Sequence, residues 1–254
     1  MNLYIYDKTF EGFLTLVFDA YVNKAFPDQI LGDADLRPLF YDAVLKVVTD
    51  EMKAQRVWRG LQKKLSKEAC GMLSLVFLSE ERDMELLLFR YVQKAFAATK
   101  SIEVNFADED VLQCTKIYRL VSREAERMRM FVRFQKTSDG IFFAPIEPRY
   151  NVLPLVADFF TDRFGDQKWV IYDVQRNYGL FYDLKKTEEI SFDKLDFNQK
   201  TGKLNDAQAA VDENLFQTLW KNYYKSTTIK ERLNPKLHRQ MLPKRFWKFL
   251  PEKL

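Results

Sequence analysis

The chain has 254 residues, and 40 Lys and Arg against 36 Asp and Glu give a formal net charge of +4. Apolar residues make up 47% of it, enough for a packed core, which excludes a disordered chain. One histidine, His238, and two cysteines exclude metal sites built from several imidazoles or four thiolates. No apolar run reaches the roughly 18 residues of a membrane span. No secretory leader is visible, so we expect a cytoplasmic protein with reduced cysteines.

The first half of the sequence predicts a helix-rich fold. A short strand is expected over residues 3–6, a loop over residues 27–38, and a second strand over residues 41–48. Between and after them, apolar residues recur at i, i+3, i+4 and i+7, which is typical of amphipathic helices. Capping residues place the helix starts near Asp7 or Thr9, and near Asp50, Ser66, Ser79 and Asp108.

From residue 129 the periodicity changes to that of strands. Residues 130–135 and 141–144 predict one hairpin, residues 169–173 and 179–183 predict another, and a helix follows Pro154 between them. Residues 185–205 are polar and predict loops. A helix from about Asp206 is expected to bury Val211, Leu215, Phe216, Leu219, Trp220 and Tyr223.

These elements predict an α+β fold. It has a helix-rich part (1–128), a ββαββ module (129–184), and a loop, helix and basic arm (185–254). Residues 98–130 contain no linker rich in Gly, Pro or Ser. The chain is therefore predicted to form a single compact unit over residues 1–254.

Positive charge is concentrated at the end of the chain. Residues 221–254 contain ten Lys and Arg and two acids, whereas residues 1–220 have a net charge of −4. This asymmetry indicates a polyanion partner, although a basic segment that packs on an acidic face of the same chain would look the same. The residues of the arm assigned to DNA contact are Lys225, Arg232, Lys236, Arg239, Lys244, Arg245 and Lys248.

A row of arginines forms a second basic feature. Arg119, Arg123 and Arg127 are spaced i, i+4 and i+8 on the predicted helix, and Arg133 follows. Each guanidinium group along one helix face can donate two parallel hydrogen bonds to the oxygens of a phosphate. Glu124 and Glu126 interrupt the row, so a solvated, ion-paired helix face is the alternative.

Few residues are candidates for catalysis. Cys70 and Cys114 lie beside or on core stripes and are predicted to be packed thiols. Strand ends often hold acid–base groups, but Asp173 and Asp183 are predicted to cap turns. Glu147, which precedes Pro148, is the one weak catalytic candidate. No metal site is predicted within the chain.

Several unusual segments follow one another along the sequence. Among them are GLQKKLS at residues 60–66, REAERM at 123–128, QKWVIYD at 167–173, RNYG at 176–179 and LPKRFWK at 242–248. Further segments are residues 6–7, 9–14, 53–57, 131–134, 146–148, 151–155 and 234–235.

In these segments the chain resembles an uncharacterised bacterial family labelled as DNA metabolism or DNA repair proteins. Members of that family are typically encoded beside a radical S-adenosylmethionine-type protein, and some are fused to a uracil-DNA glycosylase domain. The resemblance implies DNA and that protein as partners. Any S-adenosylmethionine or iron–sulfur cluster would be carried by the partner, with no cofactor in this chain. The family often has a histidine before the phenylalanine of the helix after the proline loop, but here the pair is Phe159 and Phe160.

Three functions remain open from the sequence. The first is a DNA-binding accessory factor to the radical S-adenosylmethionine-type protein. The second is an enzyme that acts on DNA through carboxylates such as Glu147. The third is a protein–protein adaptor without direct DNA contact. Salt-dependent DNA affinity favours the first two over the third, because contacts with phosphates release counterions.

Overall fold

The computed structural model describes residues 1–192, 197–198, 201–205 and 207–254. The predicted α+β class is confirmed, with helices dominating the first half and a larger sheet in the second. The chain divides into two compact units, Met1–Ser122 and Arg123–Leu254. Among the described residues, every helix is too short or too polar to span a bilayer.

The first unit contains a three-stranded parallel sheet with strand order β2-β1-β3. Its strands are β1 (Asn2–Tyr6), β2 (Gln29–Gly32) and β3 (Ala43–Lys46). Four of the five β1 residues are buried, as expected for a central parallel strand. The prediction of β3 is confirmed. The prediction of a loop over residues 27–38 is wrong in part, because β2 pairs there with β1.

Helices make up the rest of the first unit. They are α1 (Phe10–Asn23), α2 (Glu51–Lys64), α3 (Lys67–Phe77), α4 (Met84–Ala97) and the start of α5 (Glu109–Phe131). The predicted caps Thr9, Asp50 and Ser66 accept backbone N–H bonds of 2.9–3.1 Å. Ser79 does not begin a helix. Its hydroxyl donates to the Val76 carbonyl, and α4 begins five residues later.

The second unit is built on a five-stranded sheet with order β4-β5-β6-β7-β8. Its strands are β4 (Gln135–Lys136), β5 (Phe142–Ile146), β6 (Trp169–Asp173), β7 (Tyr178–Tyr182) and β8 (Thr187–Ile190). Strands β5 and β6 are parallel, joined by α6 (Leu153–Arg163), and the other pairs are antiparallel.

The ββαββ pattern is therefore confirmed with two changes. The first strand is shorter than predicted, because α5 continues to Phe131 and only Gln135 and Lys136 pair with β5. A fifth strand, β8, lies in the segment predicted as loops and pairs with β7 over Thr187–Ile190.

Helix α7 (Glu213–Thr227) has the predicted helical period, but its apolar face points to solvent instead of into the core. The predicted start near Asp206 is wrong: Asp206 itself lies outside the described residues, but residues 207–212 are not helical and α7 begins only at Glu213. The prediction of burial is wrong, because the polar face is the packed one: the buried Glu213 accepts the Lys136 amide at 2.8 Å. The six side chains predicted as core are 38–105% exposed: Val211, Leu215, Phe216, Leu219, Trp220 and Tyr223.

The chain ends in short helical pieces. These are the 3₁₀ turn Lys230–Arg232, α8 (Pro235–Met241) and the 3₁₀ helices Lys244–Phe249 and Pro251–Lys253. Pro235 and Pro251 occupy the first turns of their helices, where no backbone N–H is needed.

The single-unit hypothesis can be tested by limited proteolysis. Helix α5 is continuous across the division between the two units, so we expect no early cut near residue 130. The first cut is expected within residues 33–42, where Leu36, Leu39 and Phe40 are almost fully exposed. Mass spectrometry of early fragments measures this. Stable halves released early from cleavage near residue 130 would show two separable domains.

Both cysteines are expected to resist modification in the native protein. Cys70 and Cys114 are free and buried, and burial raises the pKa of the Cys114 thiol to about 12. At pH 8 only about one part in ten thousand of such a thiol is thiolate, the reactive form. A bulky thiol reagent should therefore label the native protein far more slowly than the protein unfolded in guanidinium. Complete labelling of the native protein within seconds would contradict this prediction.

Candidate functional site

A pocket of about 560 Å³ in the second unit includes residues that follow the carboxyl ends of β5 and β6. Neighbouring parallel strands end at the same edge of a sheet, and in open α/β sheets this edge is where ligands bind. Glu147 follows β5, and Gln175 lies two residues after β6. The pocket, called here the basic pocket, is lined by Glu147, Arg149, Gln175, Lys244, Arg245 and Lys248.

A buried ion pair holds together the two loops that carry Arg149 and Gln175 at the basic pocket. Asp173 is fully buried at the end of β6, and Arg176 donates to its carboxylate at 2.9 Å. The Arg176 guanidinium also donates to the carbonyls of Pro148 and Arg149, at 3.2 and 3.1 Å. Burial raises the pKa of Asp173, and the Arg176 charge opposes this rise. The pair therefore ties the loop after β5 to the turn after β6.

The two aspartates predicted to cap turns do so. Asp173 accepts the Gln175 amide at 3.0 Å, and Asp183 accepts the amides of Lys185 and Lys186, both at 2.8 Å. Backbone hydrogen bonds from Lys186 and Lys185 lower the pKa of Asp183. Both carboxylates are therefore occupied with local structure rather than aimed at a common ligand.

The end of the chain supplies one wall of the basic pocket. The 3₁₀ helix Lys244–Phe249 carries three of the lining cations, and the buried Phe246 and Leu250 attach this segment to the unit. The Phe246 ring lies 5.7 Å from the ring of Phe131 on α5. The Trp247 indole is half-buried and donates to the Leu242 carbonyl at 3.1 Å. Apolar residues thus dock the arm while its cations line the pocket.

Glu124 on α5 is the buried acid that holds one of these cations, Arg245. It is 2% exposed, and the Arg245 guanidinium donates to both of its carboxylate oxygens. The same carboxylate accepts the Arg149 amide at 2.9 Å and lies 3.7 Å from the Arg127 guanidinium. Paired contacts of this kind fix a guanidinium in place.

Lys248 and Glu147 form an ion pair at the basic pocket. Each side chain is about one third exposed, although the Glu147 oxygen Oε2 that meets Lys248 is itself buried. The only predicted catalytic candidate thus contacts a cation within the pocket. Counting all lining residues, four cations face one carboxylate, so the pocket is positively charged.

Four of the cations predicted to contact DNA have partners within the chain: Arg127, Arg133, Arg245 and Lys248. Arg133 is held by both an ion pair and an aromatic ring. It donates twice to Glu252, at 3.1 and 2.9 Å, and its guanidinium lies 5.4 Å from the Trp220 ring centroid. Burial raises the pKa of Glu252, but hydrogen bonds that include those from Trp220 and Arg133 hold it below its usual value.

The remaining predicted cations are exposed and form no ion pair with any described residue. Arg119 and Arg123 lie on α5, and Lys244 lies at the basic pocket. The others lie in a segment rich in exposed apolar side chains: Lys225, Arg232, Lys236 and Arg239.

His238 is a weaker base than a free histidine, because burial and the charges of Lys253 and Arg239 lower its pKa. The centroid of its ring lies 5.9 Å from that of Trp247. Within the part of the chain that the structure describes, no three His, Cys, Asp or Glu side chains cluster as metal ligands would.

Sequence reasoning missed Arg149, Gln175 and the role of Glu124. Arg149 directly follows Glu147 and Pro148, so its nearness in sequence to the catalytic candidate Glu147 could have identified it. The contact between Glu124 and Arg245 joins residues 121 positions apart, and no local pattern reveals it.

The fold and this geometry define an α+β protein with a cationic pocket at the ends of two parallel strands. A family model described as a domain of unknown function, DUF4130, matches residues 82–252, which is more than half of the chain. The chain belongs to this family, and the match includes all lining residues of the basic pocket. No curated protein and no solved structure matches the chain.

Proposed function

We propose that this chain is a DNA-binding protein of DNA metabolism that holds backbone phosphates in the basic pocket. The observation that carries the proposal is the convergence of four cations and one carboxylate at the ends of β5 and β6. Lys and Arg supply most of the affinity of proteins for nucleic acid, because they neutralise phosphates and release counterions.

The fixed geometry of the pocket supports a phosphate ligand. Glu124 holds the Arg245 guanidinium, and it also anchors the backbone of Arg149. Cations that are oriented in advance lose less side-chain freedom when an anion binds. A phosphate entering the pocket would compete with Glu147 for Lys248, which is possible because that pair is partly exposed.

Cations outside the basic pocket favour a ligand that carries many phosphates over a single phosphate group. Arg119 and Arg123 are exposed on α5 without an ion-pair partner among the described residues. The resemblance to DNA metabolism proteins favours DNA over other polyanions. The finer proposal is an accessory factor that acts in the cytoplasm with a radical S-adenosylmethionine-type protein. That partner, and the cofactors it would carry, rest on the resemblance alone.

Binding of labelled DNA at two salt concentrations tests the proposal. Single-stranded DNA, duplex DNA and duplex with a base lesion are compared by fluorescence anisotropy, with and without the partner. We expect affinity to fall by at least tenfold between about 50 and 200 mM salt, the range in which phosphate contacts weaken strongly. Absent or salt-insensitive DNA binding, with the partner still bound, would favour the adaptor hypothesis.

An enzyme acting on DNA is the second candidate, favoured by the placement of Glu147 beside Lys248 in the basic pocket. A carboxylate and an ammonium group in contact are a pair that can exchange a proton. If Glu147 is catalytic, Glu147→Gln should abolish conversion of DNA while leaving DNA affinity equal or higher, because it removes a negative charge. Conversion by Glu147→Gln at the wild-type rate would exclude this role.

A further inference from the structure

Helix α7 presents an apolar face to solvent. Leu215, Phe216, Leu219 and Tyr223 share one side of the helix, and each is more than half exposed. The opposite side is the packed one, where Glu213 is buried and Tyr224 contacts the Lys253 ammonium. Soluble proteins normally turn the apolar face of a helix inward, so this face indicates a binding surface.

The apolar character continues past the end of α7. Ile229, Leu233, Leu237 and Met241 follow at intervals of four residues, and each is more than half exposed. These eight exposed side chains, four on α7 and four in the segment that follows it, are together called the 215–241 surface. Five exposed cations lie between them, and none has an ion-pair partner among the described residues: Lys225, Lys230, Arg232, Lys236 and Arg239.

We propose that the 215–241 surface binds a partner protein through a helix that has leucine-type side chains on one face and Asp or Glu beside them. Burial of the eight apolar side chains would supply the affinity, since apolar area removed from water stabilises association. The cations would pair with the acidic flanks of the partner, which steers the encounter and fixes its register. This proposal does not rest on DNA binding in the basic pocket.

The composition of the surface favours a protein over nucleic acid. Six of its eight apolar residues are aliphatic: Leu215, Leu219, Ile229, Leu233, Leu237 and Met241. Single-stranded nucleic acid is bound by stacking on aromatic rings, which aliphatic side chains do not provide. On α7, Leu215, Leu219 and Tyr223 are spaced four residues apart, which is the pattern by which one helix recognises another.

Charge disfavours a second copy of the same chain. The surface contains five exposed cations, and Glu231 is the one exposed acid between residues 215 and 241. Two copies packed face to face would bring cations against cations, which costs free energy. An anionic membrane suits α7 less, because a helix lying on lipid usually has a polar face rich in cations and Lys225 is the only exposed cation on α7. The other four cations of the surface follow α7, so anionic vesicles are one arm of the test below.

Synthetic peptides provide the probe. One peptide of about 18 residues places leucine on one helical face and glutamate on the other, and a second replaces every glutamate by lysine. Isothermal titration at about 150 mM salt should show binding of the glutamate peptide only. Leu215→Ser with Leu219→Ser should weaken that binding by at least about tenfold, as loss of interface anchors does. The variant should leave the thermal melt and DNA affinity unchanged.

The matched control is Leu36→Ser with Leu39→Ser, two almost fully exposed leucines of the first unit, which should bind the glutamate peptide like the wild type. Four outcomes would overturn the proposal. The serine pair on α7 could bind the peptide unchanged, or both peptides could bind equally. Light scattering could show a dimer that the α7 pair dissociates, which would assign the surface to a second copy. Phosphatidylserine vesicles could bind where the glutamate peptide does not.

Discussion

Replacing Phe246 by alanine is expected to lower the free energy of unfolding by about 3–5 kcal/mol, the usual cost of removing a buried phenylalanine ring. Phe246 is 4% exposed and packs against Phe131. It also lies beside Arg245, whose guanidinium is 4.3 Å from the ring centroid. The truncation leaves a cavity between α5 and the arm. Urea unfolding followed by fluorescence or circular dichroism measures the change.

Two further substitutions test whether the loss of stability depends on the burial of the ring that is removed. Phe40→Ala removes the same side chain from an 87% exposed position and should change stability by no more than about 0.5 kcal/mol. Trp247→Ala should have an intermediate effect, because Trp247 is half-buried. Equal stability of Phe246→Ala and Phe40→Ala would show that Phe246 does not anchor the arm.

The loss of stability should be accompanied by weaker DNA binding. Lys244, Arg245 and Lys248 lie on the same 3₁₀ helix as Phe246, so their positions depend on the docking of this ring. The side chains that dock the arm most deeply are Phe246 and Leu250, at 4% and 1% exposure, whereas Trp247 is half-buried.

Strands and helix caps were predictable because their determinants are local. The run of apolar residues in β6 is buried throughout, and Thr9, Asp50 and Ser66 cap helices through their own side chains. Strand β2 was missed for the opposite reason. Its four residues lie between Pro27 and Pro38, and the strand forms by parallel pairing with β1, more than twenty residues earlier in the chain.

Helix α7 shows the limit of periodicity as a predictor. The spacing of Leu215, Phe216, Leu219 and Tyr223 correctly indicated that these residues share a face. It does not indicate whether that face packs inside the unit, because this depends on what the other elements offer. Here the buried Glu213 and the contacts of Trp220 and Tyr224 with the last residues of the chain hold the polar side inward.

The basic pocket was predictable only in part. Three of its four cations, Lys244, Arg245 and Lys248, lie within residues 221–254, where the sequence concentrates positive charge. The acid that pairs with Arg245 did not follow from the sequence. Glu124 was expected to interrupt a row of arginines on a solvated helix face, whereas it is buried beneath Arg245. Removing Arg245 would leave that acid without its main partner, at a cost of about 1–3 kcal/mol for an unsatisfied buried group.

Arg245 is therefore left intact in the variants that test phosphate binding. Lys244→Ala with Lys248→Ala should weaken duplex DNA binding, because both cations line the basic pocket. The slope of log affinity against log salt should flatten by about 0.9 for each phosphate that the variant no longer neutralises, so by up to about 1.8 for the pair. Both changes are at partly or fully exposed positions, where stability usually changes by about 0.5 kcal/mol or less.

Three further double variants serve as controls for the change in the slope of log affinity against log salt. Lys63→Ala with Lys67→Ala removes two exposed cations of the first unit and should leave DNA binding unchanged. Arg119→Ala with Arg123→Ala tests the exposed part of the arginine row, and a wild-type slope there would identify a solvated helix face. Lys236→Ala with Arg239→Ala should reduce binding of the glutamate peptide and leave the DNA slope intact. If instead that pair flattens the slope while the pocket pair does not, DNA is bound by the 215–241 surface and the basic pocket is not the phosphate site.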